Sequence, residues 1–308
     1  MNTLNRIAVV GSHAPGIFFR VKRIPVAGET VIGWGYQEPK DGGKGSNQAI
    51  AAAMLGGKVS FIGCVGNDRI GLEGKKWMNE AGVDTTWLLQ HPSESSGVGV
   101  ILLDEHGVPA MVTSMGANEK LTKRHIKNAL SALKDAKVMM TQFEIPTELA
   151  LYAAAVAREL GMITIVNPAP APEKSITKFD RVSVLLPNES EAQGLLGLQL
   201  GKTYDAAQMA EELFEKTNSE NVIITLGEKG VVGFDSDGCW KIESPKVQVI
   251  DTSGAGDVFC AAFAVRLSNG STVRSASVWA CHVASMSVTR SGTIPSFPTD
   301  EELRFQFD

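Results

Sequence analysis

No CxxC pair occurs in the sequence, and its four cysteines, Cys64, Cys239, Cys260 and Cys281, lie far apart. That spacing excludes a disulfide framework and a zinc finger, and it suits buried thiols in a reducing compartment. No dense block of Lys and Arg is present and the net charge is -5, so the electrostatic footprint of a nucleic-acid binder is missing. The nearest approach, Lys120, Lys123, Arg124 and Lys127, has the spacing of a solvated helix face. No apolar run, 149–157 included, approaches the ~18 residues that suggest a membrane span. The short apolar stretch 7–10 is too brief for a signal segment. A cytoplasmic location follows, with neither membrane nor nucleic acid as partner. The five histidines form no HExxH and there is no GxSxG, which removes support for catalytic zinc and for an acyl-transfer serine. The segment 197–203 falls one residue short of a Walker A loop and reads as a surface loop.

What remains is an ordinary globular composition over 308 residues, 44% hydrophobic and 20% charged. Short apolar runs at 7–10, 59–65, 138–141, 163–166, 182–186 and 222–226 alternate with helix-period segments at 45–56, 70–81, 122–134, 146–160, 189–197 and 204–217. Continuous apolar strands are buried on both faces, so the pattern predicts an α/β fold: a central, mostly parallel sheet flanked by helices on both sides. Two stretches, 30–36 and 97–113, alternate polar and apolar instead. They predict a small antiparallel sheet, a lid inserted at about 15–41 and 97–117 in one domain spanning 1–308. Trp34 and Tyr36 fall in it, where exposed aromatics could seal a site or meet another copy. Two apolar helices at 258–267 and 272–288 close the chain.

Two glycine clusters carry the chemistry. The first, Gly42, Gly43, Lys44, Gly45, Ser46, Asn47 and Gln48, leads into an alanine-rich helix. Its Lys and Asn could bind a polyhydroxylated ligand, or the cluster is a flexible turn with Lys44 in solvent. The second, 251–257, follows an expected strand at 247–250. Gly254, Ala255 and Gly256 have almost no side chain, so N–H groups at a helix start can approach phosphoryl oxygens. Asp257, in the first helical turn, could take a proton as general base. The alternative is a tight turn whose aspartate merely suits the helix dipole.

Taken together, in this order and at this distance, the two clusters resemble the ribokinase-like (PfkB) family of sugar kinases. Further likenesses lie at 167–170, 187–191, 225–230 and 289–292, so the resemblance spans nearly the whole chain. It implies an ATP-dependent phosphotransferase acting on a small sugar with Mg²⁺ and often K⁺. By position it implies Asp257 as base and Gly254, Ala255 and Gly256 as anion hole. Asn188 and Glu191 would act on the phosphates and hydrated Mg²⁺, and Thr225, Gly227 and Gly230 would line the nucleotide; taken alone these are a capped helix start and a turn. Gly43, Lys44, Asn47 and Glu144 would contact the sugar. Asp251, Ser253, Ser287, Arg290, Gly292 and Ser296 would surround the monovalent cation, several through carbonyls; a salt bridge between Asp251 and Arg290 is the plainer alternative. One departure stands out: the family's sugar-binding Asp after the first strand is Gly16 here, and the Asn two positions earlier is Ala14. Either Asp41 or His13 supplies replacement contacts, or the substrate lacks or inverts the hydroxyls otherwise held there. A homodimer through the lid is implied by analogy. A nucleoside kinase of the same fold and a non-catalytic sugar-binding regulator are the competing functions.

Overall fold

The structure, a computed structural model, describes residues 5–38, 42–172, 175, 179 and 182–307. Along the first half run β1 (Arg6–Val10), β2 (Gly16–Val21), β3 (Gly33–Gln37), α1 (Lys44–Met54), β4 (Lys58–Gly66), α2 (Arg69–Glu80), β5 (Asp84–His91), β6 (Val98–Leu103) and β7 (Pro109–Ser114). Next come α3 (Lys123–Ala132), β8 (Ala136–Gln142), α4 (Thr147–Glu159), β9 (Ile163–Asn167), β10 (Val184–Leu185), α5 (Glu189–Leu196) and α6 (Ala206–Thr217). The last part holds β11 (Val222–Thr225), β12 (Val231–Asp235), β13 (Gly238–Ile242), α7 (Ala255–Ser268), α8 (Val273–Ser287) and α9 (Asp300–Phe307).

Nine strands form one sheet in the order β13-β12-β11-β10-β9-β8-β1-β4-β5, parallel from β11 to β5 and antiparallel at the β12 and β13 edge. Successive strand residues point to opposite faces, and here both faces are covered. On β1, Ile7 and Val9 join a core with α1, α7 and α8, whereas Ala8 and Val10 join a second core with α3, α4, α5 and α6. On β8, Val138 and Met140 face the first core and Met139 the second. These double contacts account for the unbroken apolar runs. Helix α7 is buried on nearly every side from Asp257 to Leu267, as a helix wedged between two others and a sheet must be.

A second sheet, ordered β3-β2-β6-β7, forms the lid. It is mixed, not antiparallel as expected: β2 and β6 both leave the main body and run parallel, with Gly16 opposite Gly99, while β3 and β7 add antiparallel edges. Strand β3 begins at Gly33, so 30–32 are not strand, and all five of its residues are exposed. Ile32, Trp34, Tyr36, Met111 and Val112 are apolar and exposed in the lid, Met111 and Val112 on opposite faces of β7.

Other expectations shift for physical reasons. Strands β5 and β13 escaped the sequence pattern because each is a sheet edge and only partly buried, and β12, though mostly buried, because Gly233 breaks its short apolar run. The run 247–250 is not a strand; Ile250 and Asp251 donate backbone N–H bonds to the Val288 carbonyl at the end of α8 instead. The 197–203 loop is a loop, entered through the left-handed Gly197 that caps α5. Three cysteines are buried, but Cys239 on β13 is exposed. Among the described residues no helix is long and apolar enough to cross a membrane.

The contact that positions the first glycine cluster is backbone against backbone. A Cβ on Gly45 would lie 2.4 Å from the Ser12 nitrogen and 2.8 Å from Gly11 carbons. Gly43, with φ 86°, is pressed as closely onto Ala14, and Ser46 donates its N–H to the Ser12 carbonyl at 2.9 Å. Gly45→Ala is therefore expected to cost about 2 kcal/mol by forcing the start of α1 off β1. Thermal unfolding should show it as a fall of roughly 4 °C.

His13 lies inside this seam, with Nδ1 3.1 Å from Ser46 Oγ and its ring against Gly74 of α2. Burial lowers its pKa from 6.5 to about 4, the Ile70 backbone and Asp68 pulling partly back. A folded-state value below the unfolded one favours the neutral ring, so this stabilisation is complete above about pH 6.5 and drains away as pH falls toward 4. Its ceiling is about 3 kcal/mol, at 1.36 kcal/mol per unit. In urea titrations at pH 7 and pH 4.5, His13→Gln should lose less stability between the two conditions than the wild type.

Candidate active site

Four chain segments meet at the carboxyl ends of the parallel strands, where open α/β sheets hold their ligands. The first turn of α1 arrives after β1. Glu144 follows β8, Asn188 and Glu191 open α5 after β10, and the start of α7 brings Asp257.

Asp257 is 7% exposed, and each of its carboxylate oxygens accepts an amide hydrogen from α1. Asn47 Nδ2 donates to Oδ2 at 3.2 Å and Gln48 Nε2 donates to Oδ1 at 3.1 Å. Gly254 caps α7 in the left-handed region, φ 74°, which a side chain would strain. The Ala255 N–H turns back to the Thr252 carbonyl at 3.2 Å, while those of Gly256 and Asp257 lie where no preceding turn accepts them. A Cβ on Gly256 would meet nothing within 4 Å, so the space before this helix start is open to an anion.

Glu144 faces the other helix start. Its Oε2 accepts from Ser12 Oγ at 2.5 Å and from the Lys44 N–H at 2.6 Å, a favourable place for a carboxylate on the helix dipole. Burial pushes the Glu144 carboxyl up, and the Ser12 bond and the Lys44 charge only partly oppose it. Glu191 is likewise raised by burial. Burial drags on the Lys44 ammonium too, but Asp257, Glu144 and Glu191 together hold it above its ordinary value, so it stays cationic. The Cys260 thiol, fully buried on α7, is pushed far up and is inert as a nucleophile. One ammonium thus stands among three carboxylates.

Asn188 and Glu191 form a complete capping box: Asn188 Oδ1 accepts from the Glu191 N–H at 2.8 Å, and Glu191 Oε2 accepts from the Asn188 N–H at 2.9 Å. Thr225 stands beside them, its N–H bonded to the Pro187 carbonyl at 3.0 Å. Gly227 and Gly230, both at positive φ, shape the turn from β11 to β12, where a Cβ on Gly230 would strike the Ile242 carbonyl at 2.0 Å.

The segment 251–253 and the end of α8 are tied through Asp251, whose Oδ1 accepts from the Ser253 N–H and Oδ2 from the Gly292 N–H, both at 2.9 Å. The alternative salt bridge to Arg290 does not form; that guanidinium pairs with Glu302. Ser287 and Ser296 turn their hydroxyls onto the Ala284 and Thr293 carbonyls.

His13 is no replacement sugar contact: at 2% exposure its ring lies in the core seam. Asp41 lies outside the described residues. Sequence reasoning passed over Ser12, Gln48, Gln142 and Asn167, all buried polar side chains around the Asp257 and Glu144 carboxylates. The one signal for Gln48 was a long amide in a run of small and apolar helix residues.

Comparison with known proteins agrees with this geometry. Residues 5–300 match the family described as pfkB family carbohydrate kinase. The chain is 33% identical over 296 residues to a ribokinase of Haemophilus influenzae, covering 96% of each. It is 32% identical over 297 residues to a deoxyribokinase of Salmonella typhi, again 96% of each. The ribokinase of Arabidopsis thaliana, solved in complex with ribose and ATP, superposes with a TM-score of 0.88 at 27% identity over 98% of both chains. With the family matched over nearly its whole length, the chain belongs to the pfkB carbohydrate kinases, ATP-dependent phosphotransferases.

Proposed function

We propose that this protein, as one kinase domain with an inserted lid, transfers the γ-phosphoryl group of ATP to a primary hydroxymethyl group of a small sugar, ribose or a related pentose or ketose. The observation that carries the reading is the Asp257 carboxylate, fixed by two amides beside an open helix start. Asp257 accepts the hydroxyl proton as the oxygen attacks in line, and the N–H groups at 254–256, that of Ala255 turning from the Thr252 carbonyl, receive charge from the phosphoryl oxygens. Gly43, Lys44, Asn47 and Glu144 hold the sugar against this base. Asn188, Thr225, Gly227 and Gly230 line the nucleotide.

Among the described residues no group of three or more His, Cys, Asp or Glu side chains could hold a metal ion. That donor set fits Mg²⁺ carried on the polyphosphate through water with Glu191 nearby, since this ion keeps waters and favours phosphate oxygens. When bound, it neutralises phosphate charge that the surplus of carboxylates would otherwise repel. The Asp251 carboxylate, holding two segments together, fits a K⁺ beside Ser253, Ser287, Arg290, Gly292 and Ser296, where it would stiffen the approach to 254–256. The exposed apolar side chains of the lid support a homodimer through that sheet.

The acceptor is narrowed by Ala14 and Gly16, which offer no polar side-chain atom, and by Ile101, whose Cδ1 lies 3.0 Å from where a Gly16 Cβ would be. That surface favours a sugar lacking a hydroxyl there, as deoxyribose does relative to ribose. An ADP-release assay across pentoses, deoxypentoses, ketohexoses, polyols and nucleosides, with Mg²⁺ and K⁺ varied, should give deoxyribose a kcat/KM at least equal to that of ribose. A ~10⁴-fold preference for ribose, the scale of a site built around a hydroxyl, would refute this choice of acceptor. Sugar binding without ADP release would leave a regulator, and a nucleoside preference would leave a nucleoside kinase. Asp257→Asn should lower kcat by about 10³-fold while calorimetry still detects sugar and nucleotide binding.

A further inference from the structure

We propose that Gln48 is a positioning residue for phosphoryl transfer, the middle link of a chain of side-chain amides that holds the Asp257 carboxylate in one orientation. The proposal rests on Asp257 being the proton acceptor.

The chain starts from a backbone carbonyl. The Leu186 carbonyl can only accept, so the nitrogen of the Asn167 amide must face it, and Asn167 Nδ2 donates there at 2.8 Å. Asn167 Oδ1 therefore points the other way, toward Gln48, whose Nε2 donates to it at 3.1 Å. The same Nε2 donates its second hydrogen to Asp257 Oδ1 at 3.1 Å. On the far side Gln48 Oε1 accepts from Gln142 Nε2 at 2.6 Å. Turning the Gln48 amide over would set its oxygen against two acceptor oxygens and its nitrogen against a donor, so one orientation survives. Gln48 and Gln142 are fully buried and Asn167 nearly so, which leaves no water to repair a broken link.

The consequence for chemistry is geometric. A carboxylate oxygen has two lone-pair directions, and on each Asp257 oxygen one is already filled, by Gln48 on Oδ1 and Asn47 on Oδ2. The plane of the group is fixed before any sugar arrives, with a lone pair left on each oxygen for the hydroxyl proton. Asn47 and Gln48 are adjacent on α1, so one helix sets both grips. The charged and titratable groups around Asp257 are Lys44 on the same helix, Glu144 after β8, Glu191 on α5 and the Cys260 thiol on α7.

Two substitutions test the proposal against a purely structural role. In Gln48→Met the shape remains and the donor goes; kcat should fall by ~10–100-fold, the weight of one hydrogen bond to a charged group, with sugar KM within about 3-fold. In Gln48→Glu two carboxyl groups share a site, and near neutrality such a pair holds one proton. The protonated Glu then donates to Asp257 as the amide did, and loses that ability as pH rises. Its kcat should stay within ~10-fold of wild type at pH 6 and drop at least ~10-fold further by pH 9, where the wild type holds its rate. A Gln48→Met enzyme with wild-type kcat overturns the proposal, as does a Gln48→Glu enzyme that loses the same factor at every pH. If the Met variant does not fold, the pH profile of the Glu variant decides. Asp257→Asn, measured alongside, separates the two failures: wild-type turnover there removes the base itself, whereas a dead Asp257→Asn with an unaffected Gln48→Met removes the positioning role alone.

Discussion

The site depends on how closely one stretch of bare backbone can lie against another. Gly42, Gly43 and Gly45 press onto 11–16 at distances that leave no room for a Cβ, and this sets where α1 begins. From that start, Asn47 and Gln48 fall one turn in, level with the first turn of α7 and the Asp257 carboxylate. A helix displaced by even part of a turn would leave both amides aimed elsewhere. The first glycine cluster thus acts less as a flexible ligand loop than as a docking surface within the chain.

Electrostatics then follows from placement. Glu144 reaches back to the N–H of Lys44 and to Ser12, closing β1, β8 and α1 around one carboxylate. Lys44 keeps its charge in spite of burial because three acidic groups surround it. The Glu191 side chain serves its own helix as half of a capping box while facing the same centre, so helix stability and site charge share one residue.

Much of the fold was legible because the central strands contact helices on both faces. Strand β1, with Ile7 and Val9 on one side and Ala8 and Val10 on the other, has no polar position after Arg6 to blur the pattern. Edge strands such as β5 and β13 are only partly buried and carry no such run, so they were missed. The parallel pairing of β2 with β6 could not be read locally, since it joins residues some eighty positions apart. In the site, the charged residues and glycines stood out by type and spacing. Gln48, Gln142 and Asn167 did not, because a buried amide announces itself only once its partners are known. His13 misled for the opposite reason: it stands next to Ala14 and near Gly16 in sequence, yet its ring turns inward under Gly74.

The loop from Ala14 to Gly16 touches 42–43 and Gly97, whereas Asp257 takes its hydrogen bonds from Asn47 and Gln48. None of the hydrogen bonds to that carboxylate comes from 14–16, and a side chain added at Gly16 meets Ile101 first. That loop and the carboxylate therefore hang on separate supports within one fold.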